Sequence, residues 1–94
     1  MQKIKVIVSG RVQGVGFRMS TLKKARQIGV SGYVRNLANG DVEIVASGKP
    51  EQVDALLKWA ESGPPSAIVN NLGVEVLTNN VEEFKGFEIR REKN

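Results

Sequence analysis

The sequence contains no cysteine and no histidine. Lack of cysteine excludes disulfides and thiolate chemistry, and it suits a reducing cytosol, so the expected compartment is the cytoplasm. Lack of histidine removes the commonest general base and the commonest metal ligand. Catalysis, if any, falls to arginine, lysine, carboxylates, amides, hydroxyls or the backbone. Long apolar runs are also missing, and no charged-then-apolar leader opens the chain. Neither a membrane span nor a signal peptide is expected.

What is present describes an ordinary small globular domain. At 94 residues the chain is expected to form a single domain over 1–94 with one modest core. No repeat, linker or low-complexity stretch argues for a second unit. Only Arg91 to Asn94 reads as a disordered end. The formal net charge of +4 gives a mild bias towards anionic ligands, from phosphate to nucleic acid.

Hydrophobic periodicity divides the chain. Ile4, Val6 and Val8 alternate with polar neighbours, a strand pattern. From Arg18 to Ile28 helix formers dominate, with Met19, Leu22 and Ala25 or Ile28 at core-facing spacing, and Gly29 stands where a helix ends. Val30 to Asn36 reads as a second strand, and Asp41 to Ser47 as a third. Asn39-Gly40 marks the hairpin turn between them. Pro50 and Glu51 open a second helix, whose Val53, Leu56, Leu57 and Ala60 share one face. Gly63, Pro64 and Pro65 end it. Val69 to Leu77 gives a fourth strand, and Phe87 to Arg91 a possible short fifth. The order β-α-β-β-α-β predicts an α+β ferredoxin-like sandwich, an antiparallel sheet with two helices on one face.

Between the first strand and the first helix lies Ser9 to Arg18, "SGRVQGVGFR", with three glycines. Backbone N–H groups in such a loop can converge on an anion, helped by the helix dipole. The ATP-type phosphate loop is excluded, because Gly16 is followed by Phe17-Arg18 and not by lysine with serine or threonine. The dinucleotide fingerprint fails as well, because Met19 stands where its third glycine belongs. The glycines alone do not separate an anion nest from a bare strand-to-helix connection.

Arg18 adds weight to the anion. A cation in the first helical turn opposes the dipole, whereas a guanidinium fork shared with the nest explains its place. The plain alternative is a solvated arginine. Asn36 ends the second strand. As a turn residue it would be redundant beside Asn39-Gly40. As a water holder it offers both a carbonyl acceptor and an amide donor. Arg11 and Arg35 read as solvated or packing residues, Trp59 as core edge, and Phe84 and Phe87 as packing for the last strand. Asp41, Glu43, Glu82 and Glu83 form no metal-ligand pattern and read as surface.

"VSGRVQGVGFR" and "GYVRNLANGDVEIVASG" resemble the two signature stretches of the acylphosphatases. The element order and the ending "GFEIRR" agree with that family, so the resemblance spans nearly the whole chain. It implies hydrolysis of an acyl phosphate to a carboxylate and inorganic phosphate, without cofactor, metal or covalent intermediate. Carried over to this sequence, the phosphate cradle is Gln13, Gly14, Val15, Gly16 and Phe17, acting mainly through backbone N–H groups. Arg18 would bind the phosphoryl oxygens, and Asn36 would position the attacking water. A monomer without membrane or nucleic-acid partners is expected. Similar segments occur inside larger hydrogenase-type maturation enzymes, but a free-standing enzyme is expected here.

The alternative is a non-catalytic ferredoxin-like module that binds RNA or a small anion. Lys85-Gly86-Phe87 opens like the aromatic motif of RNA-recognition domains. That motif belongs on the third strand, where Asp41 to Ser47 has no aromatic residue to stack a base.

Overall fold

A computed structural model describes residues 1–78 and 82–92. In chain order the elements are β1 (Gln2–Arg11), α1 (Phe17–Ile28), β2 (Ser31–Asn36), β3 (Val42–Gly48), α2 (Pro50–Ala60), β4 (Ile68–Val76) and β5 (Phe87–Ile89). The strands lie side by side in the order β4-β1-β3-β2-β5. β1 runs antiparallel to β3 and β4, and β2 antiparallel to β3. α1 lies against β2 and β5, α2 against β1 and β3, and the helices touch each other. This is the ferredoxin-like arrangement.

The fifth strand refines that expectation. β5 pairs parallel to β2, from Gly32↔Phe87 to Val34↔Ile89, so the sheet is mixed. The chain reverses after β4, which gives β5 the same direction as β2. The strand is also shorter than Phe87 to Arg91. One further bond, Arg90 N–H to Val34 O at 2.9 Å, continues the pairing. Arg91 and Glu92 have no regular structure, while Lys93 and Asn94 lie outside the described residues.

Alternation fills the core as the sequence predicts. Ile4, Val6 and Val8 of β1 meet Val34 of β2 and Val42, Ile44 and Ala46 of β3, beneath Ala25, Val53, Leu56 and Ala60 of the helices. Gln52 accepts the Lys49 N–H at 3.0 Å and closes the start of α2. Met19 is a correction: it is 50% exposed. α1 buries Phe17, Thr21 and Ala25 instead, and a residue two positions after Phe17 points about 200° away from it. Among the described residues no helix is long and apolar enough to cross a membrane.

Two further corrections concern the face of the sheet that carries no helix. Glu43 is buried rather than superficial, only 5% exposed. It accepts hydrogen bonds from Tyr33 Oη at 3.0 Å and Arg35 Nε at 2.6 Å. Pairing opposite Arg35 in the β2–β3 register holds it there. Phe84 does not join the helix-side core. It meets the Tyr33 ring edge-on at 6.0 Å between centroids, and Arg90 stacks over Tyr33 at 4.1 Å. Phe87 is in the core as expected.

Candidate active site

The loop between β1 and α1 is held at both ends by buried apolar side chains. Val12 and Phe17 are each 1% exposed, and Val15 rests on the core between them. The Phe17 ring lies 5.6 Å from that of Trp59, which occupies the core edge and roots the start of α1. Between these anchors Gly14 and Gly16 adopt φ of 75° and 78°. L-residues with a Cβ reach this left-handed region only at a cost of about 1–2 kcal/mol. A Cβ at either position would meet nothing within 4 Å. The glycines are therefore required by backbone conformation, and the side of the loop where their side chains would stand is open.

That conformation leaves the helix start bare. Gly16 is the N-cap and has no side chain to offer, and the first turn carries no acid. The first backbone bond of the helix is Ser20 N–H to Gly16 O, at 3.0 Å. Among the described residues, the N–H groups of Gly14 to Met19 donate to no protein acceptor. A run of free donors at the positive end of a helix attracts an anion.

Arg18 occupies the second position of α1. It is half-buried, and among the described residues it has no hydrogen bond or ion pair. It lines a cleft of about 220 Å³ together with Val12, Gly14, Gly16, Phe17, Met19 and Ile89. Arg18 and the loop glycines therefore line one cleft. A larger hollow of about 820 Å³ opens near the other end of α1, between Arg26, Gly29 and the 83–88 segment. It contains none of the loop residues.

The side chain of Gln13 is already committed. Its Nε2 donates to Leu37 O and Asp41 O, both at 2.8 Å. Both amide hydrogens are thus used, and only the backbone N–H of Gln13 remains to donate to an anion. These bonds fasten the loop to the β2–β3 turn, next to Asn36. The turn is further closed by Leu37 N–H to Asp41 O at 2.9 Å.

Asn36 is the last residue of β2, opposite Val42 in β3, and is half-buried. Strand alternation places it on the same face as Val34, the helix side. Its Oδ1 is buried and has no hydrogen-bond partner. A buried polar atom left unpaired costs about 1–3 kcal/mol, so the position calls for an external donor. Asn36 does not itself line the Arg18 cleft. The Gln13 bridge is what joins the two parts.

Arg35 is bound to Glu43 and Arg11 is exposed, so neither adds a free cation to the cleft wall. Among the described residues no three His, Cys, Asp or Glu side chains gather to hold a metal ion. Sequence reasoning missed Ile89 in the cleft wall. The alternation of Phe87 and Ile89 gave the signal, since both point to the helix side once β5 pairs with β2.

Comparison with known proteins identifies the family. The family model described as Acylphosphatase matches residues 4–89. An acylphosphatase of Acaryochloris marina is 48% identical over 88 residues, covering 94% of this chain and 92% of that protein. The solved acylphosphatase of Coxiella burnetii superposes with a TM-score of 0.88 at 44% identity, over 95% of this chain and 92% of its own. That of Bacillus subtilis gives 0.90 at 32% identity, over 96% and 99%. With the family pattern spanning every element from β1 to β5, the chain belongs to the acylphosphatase family.

Proposed function

We propose that this protein hydrolyses the carboxyl–phosphate bond of acyl phosphates. Its substrate is a small acyl phosphate, and its products are a carboxylate and inorganic phosphate. The phosphoryl group sits against the free N–H groups of the Gly14–Phe17 loop, with Gln13 contributing only backbone. The Arg18 guanidinium takes further phosphoryl oxygens. The carrying observation is that unpaired Arg18 and the uncapped helix start share one cleft wall.

Such a site suits phosphoryl transfer. The reaction passes through a loose transition state, and it needs positioning and charge stabilisation more than covalent help. Asn36 accepts a hydrogen bond from the attacking water through Oδ1, the atom that has no partner in the protein. The water oxygen bonds to phosphorus as the bond from phosphorus to the carboxyl oxygen breaks. The carboxylate leaves with that electron pair. A water proton passes to a phosphoryl oxygen of the substrate, so a dianionic acyl phosphate yields one carboxylate and dihydrogen phosphate. A carboxylate leaves readily, so a chain without histidine needs no strong general acid. The proposal takes a monomer as the working unit. The lack of cysteine is in keeping with work in the cytoplasm.

The experiment is release of phosphate from acetyl phosphate by the parent, Arg18→Ala and Asn36→Ala, each checked for folding by circular dichroism. Parent activity should fall by about 10²–10³ in the arginine variant and also collapse in the asparagine variant. Inorganic phosphate should inhibit competitively, and EDTA should leave the rate unchanged. A parent that releases no phosphate, or variants that keep full activity, would sink the assignment. A pH–rate profile that requires an enzyme base near neutrality would overturn the proton route.

A further inference from the structure

The cleft beside Arg18 has a second character that phosphate chemistry does not use. Two of its wall residues are large and apolar, yet open to water: Met19 is 50% exposed and Ile89 is 36% exposed. The other apolar members, Val12 and Phe17, are buried and serve as anchors. Met19 follows Arg18 directly, on the turn of α1 that carries the free N–H groups. Ile89 comes from the far end of the chain. The parallel pairing Val34↔Ile89 brings it to the helix side of the sheet, where β5 touches α1. An aliphatic or thioether side chain exposed singly on a surface needs no explanation. Two such residues from distant elements, in the wall of one cleft that also holds Arg18 and the free N–H groups of the loop, do.

We infer that Met19 and Ile89 form the acyl subsite and select substrates with apolar acyl groups. This rests on the proposed acyl phosphate hydrolysis. With phosphate held by the loop and Arg18, the acyl carbon skeleton must lie elsewhere in the cleft. Its volume of about 220 Å³ falls below the roughly 300–1,000 Å³ typical of drug-sized sites. A phosphate with a short aliphatic or single-ring acyl group is the size that such a cleft can cover. Neither flanking side chain can hydrogen-bond or neutralise a charged tail, so an acyl chain ending in a second carboxylate gains nothing from this wall. Removing apolar surface of the substrate from water favours binding in proportion to the area covered.

The test compares kcat/KM for acetyl, butyryl, benzoyl and succinyl phosphate. Parent values should rise from acetyl to butyryl and benzoyl phosphate, with benzoyl about tenfold above acetyl and succinyl no better than acetyl. Met19→Ser and Ile89→Ser should each lower the benzoyl-to-acetyl ratio by about three- to tenfold, while Met19→Leu, which keeps apolar bulk, should retain it. The ratio cancels damage common to both substrates. If a serine variant does not fold, the other serine variant still decides, because the change in ratio between parent and variant cancels the better leaving ability of benzoate. Hydrolysis of all four without preference, or a ratio unmoved by the serine variants, would overturn the acyl subsite alone. No hydrolysis of any acyl phosphate would overturn the function beneath it.

Discussion

Arg18 stands where a helix least favours a cation. The dipole penalty for a positive side chain in the first turn is about 0.3–1 kcal/mol, and Arg18 recovers none of it through a partner among the described residues. Arg18→Ala is therefore expected to leave stability unchanged or raise it by a few tenths of a kcal/mol, while activity collapses. Urea unfolding beside the phosphate assay checks both; a clear loss of stability would mean that the guanidinium has a structural partner. Gly16 makes the opposite case. Gly16→Ala places a methyl group in open space at φ 78°, so the expected destabilisation of about 1–2 kcal/mol is a backbone effect. The same methyl faces the open side of the loop, and the inhibition constant of inorganic phosphate should rise. Tyr33 offers a pH test. Burial pushes its phenol above the ordinary value of 10.0, and the hydrogen bond to Glu43 and that carboxylate's charge push the same way against Arg35 and Arg90. A phenol raised in the fold contributes stability that is complete below its unfolded value and lost as pH climbs through the folded one. The stability difference between the parent and Tyr33→Phe should stay flat up to about pH 10 and shrink above it. Urea midpoints between neutral and alkaline pH would show this, and a difference that grew there would contradict it.

At the scale of elements, Gln13 carries much of the geometry. Its two bonds to Leu37 O and Asp41 O tie the phosphate loop to the turn beyond Asn36. Gln13→Ala should lose about 1–3 kcal/mol of stability and slow hydrolysis by loosening the loop against the strand end. Gln13→Glu should fail to rescue it, because an ionised carboxylate cannot donate to those carbonyls. Thermal unfolding and kcat measured on both variants decide; a glutamate that restored the parent would disprove the strap. This tie was not legible in the sequence, since a lone glutamine between glycines says nothing about distant carbonyls. What was legible followed from period and punctuation: Ile4, Val6 and Val8 for β1, Val53, Leu56 and Ala60 for α2, and Asn39-Gly40 for the hairpin. Met19 misled because its spacing from Leu22 fits a helical face, but Phe17 had already set which face is buried. Glu43 misled because a carboxylate in a strand reads as exposed until cross-strand Arg35 and Tyr33 are known to flank it. For the candidate site, the sequence offered residues but not their relations. Glycines and Arg18 suggested an anion from the sequence alone, whereas the bare Asn36 Oδ1 and the presence of Ile89 in the cleft depend on strand register.

For the molecule as a whole, charge and topology set the working conditions. The net charge of +4 attracts an anionic substrate from a distance, and salt screens that field over about 8–10 Å at physiological strength. KM for acetyl phosphate should rise with ionic strength while kcat changes little. A flat KM between low and high salt would show that only the contacts within the cleft matter.

The strand order β4-β1-β3-β2-β5 has a consequence in time. The chain is made from its N-terminus, and the middle of the sheet, β1, β3 and β2, is complete by Gly48. By then the loop, Arg18 and Asn36 have all been synthesised as well. What the ribosome adds last are the two borders, β4 on one side and β5 on the other. The strands made first therefore lie in the middle of the sheet, and the strands made last lie at its two edges. A chain cut after Gly48 would hold the loop, Arg18 and Asn36, but it would lack α2 and the two strands that border its sheet.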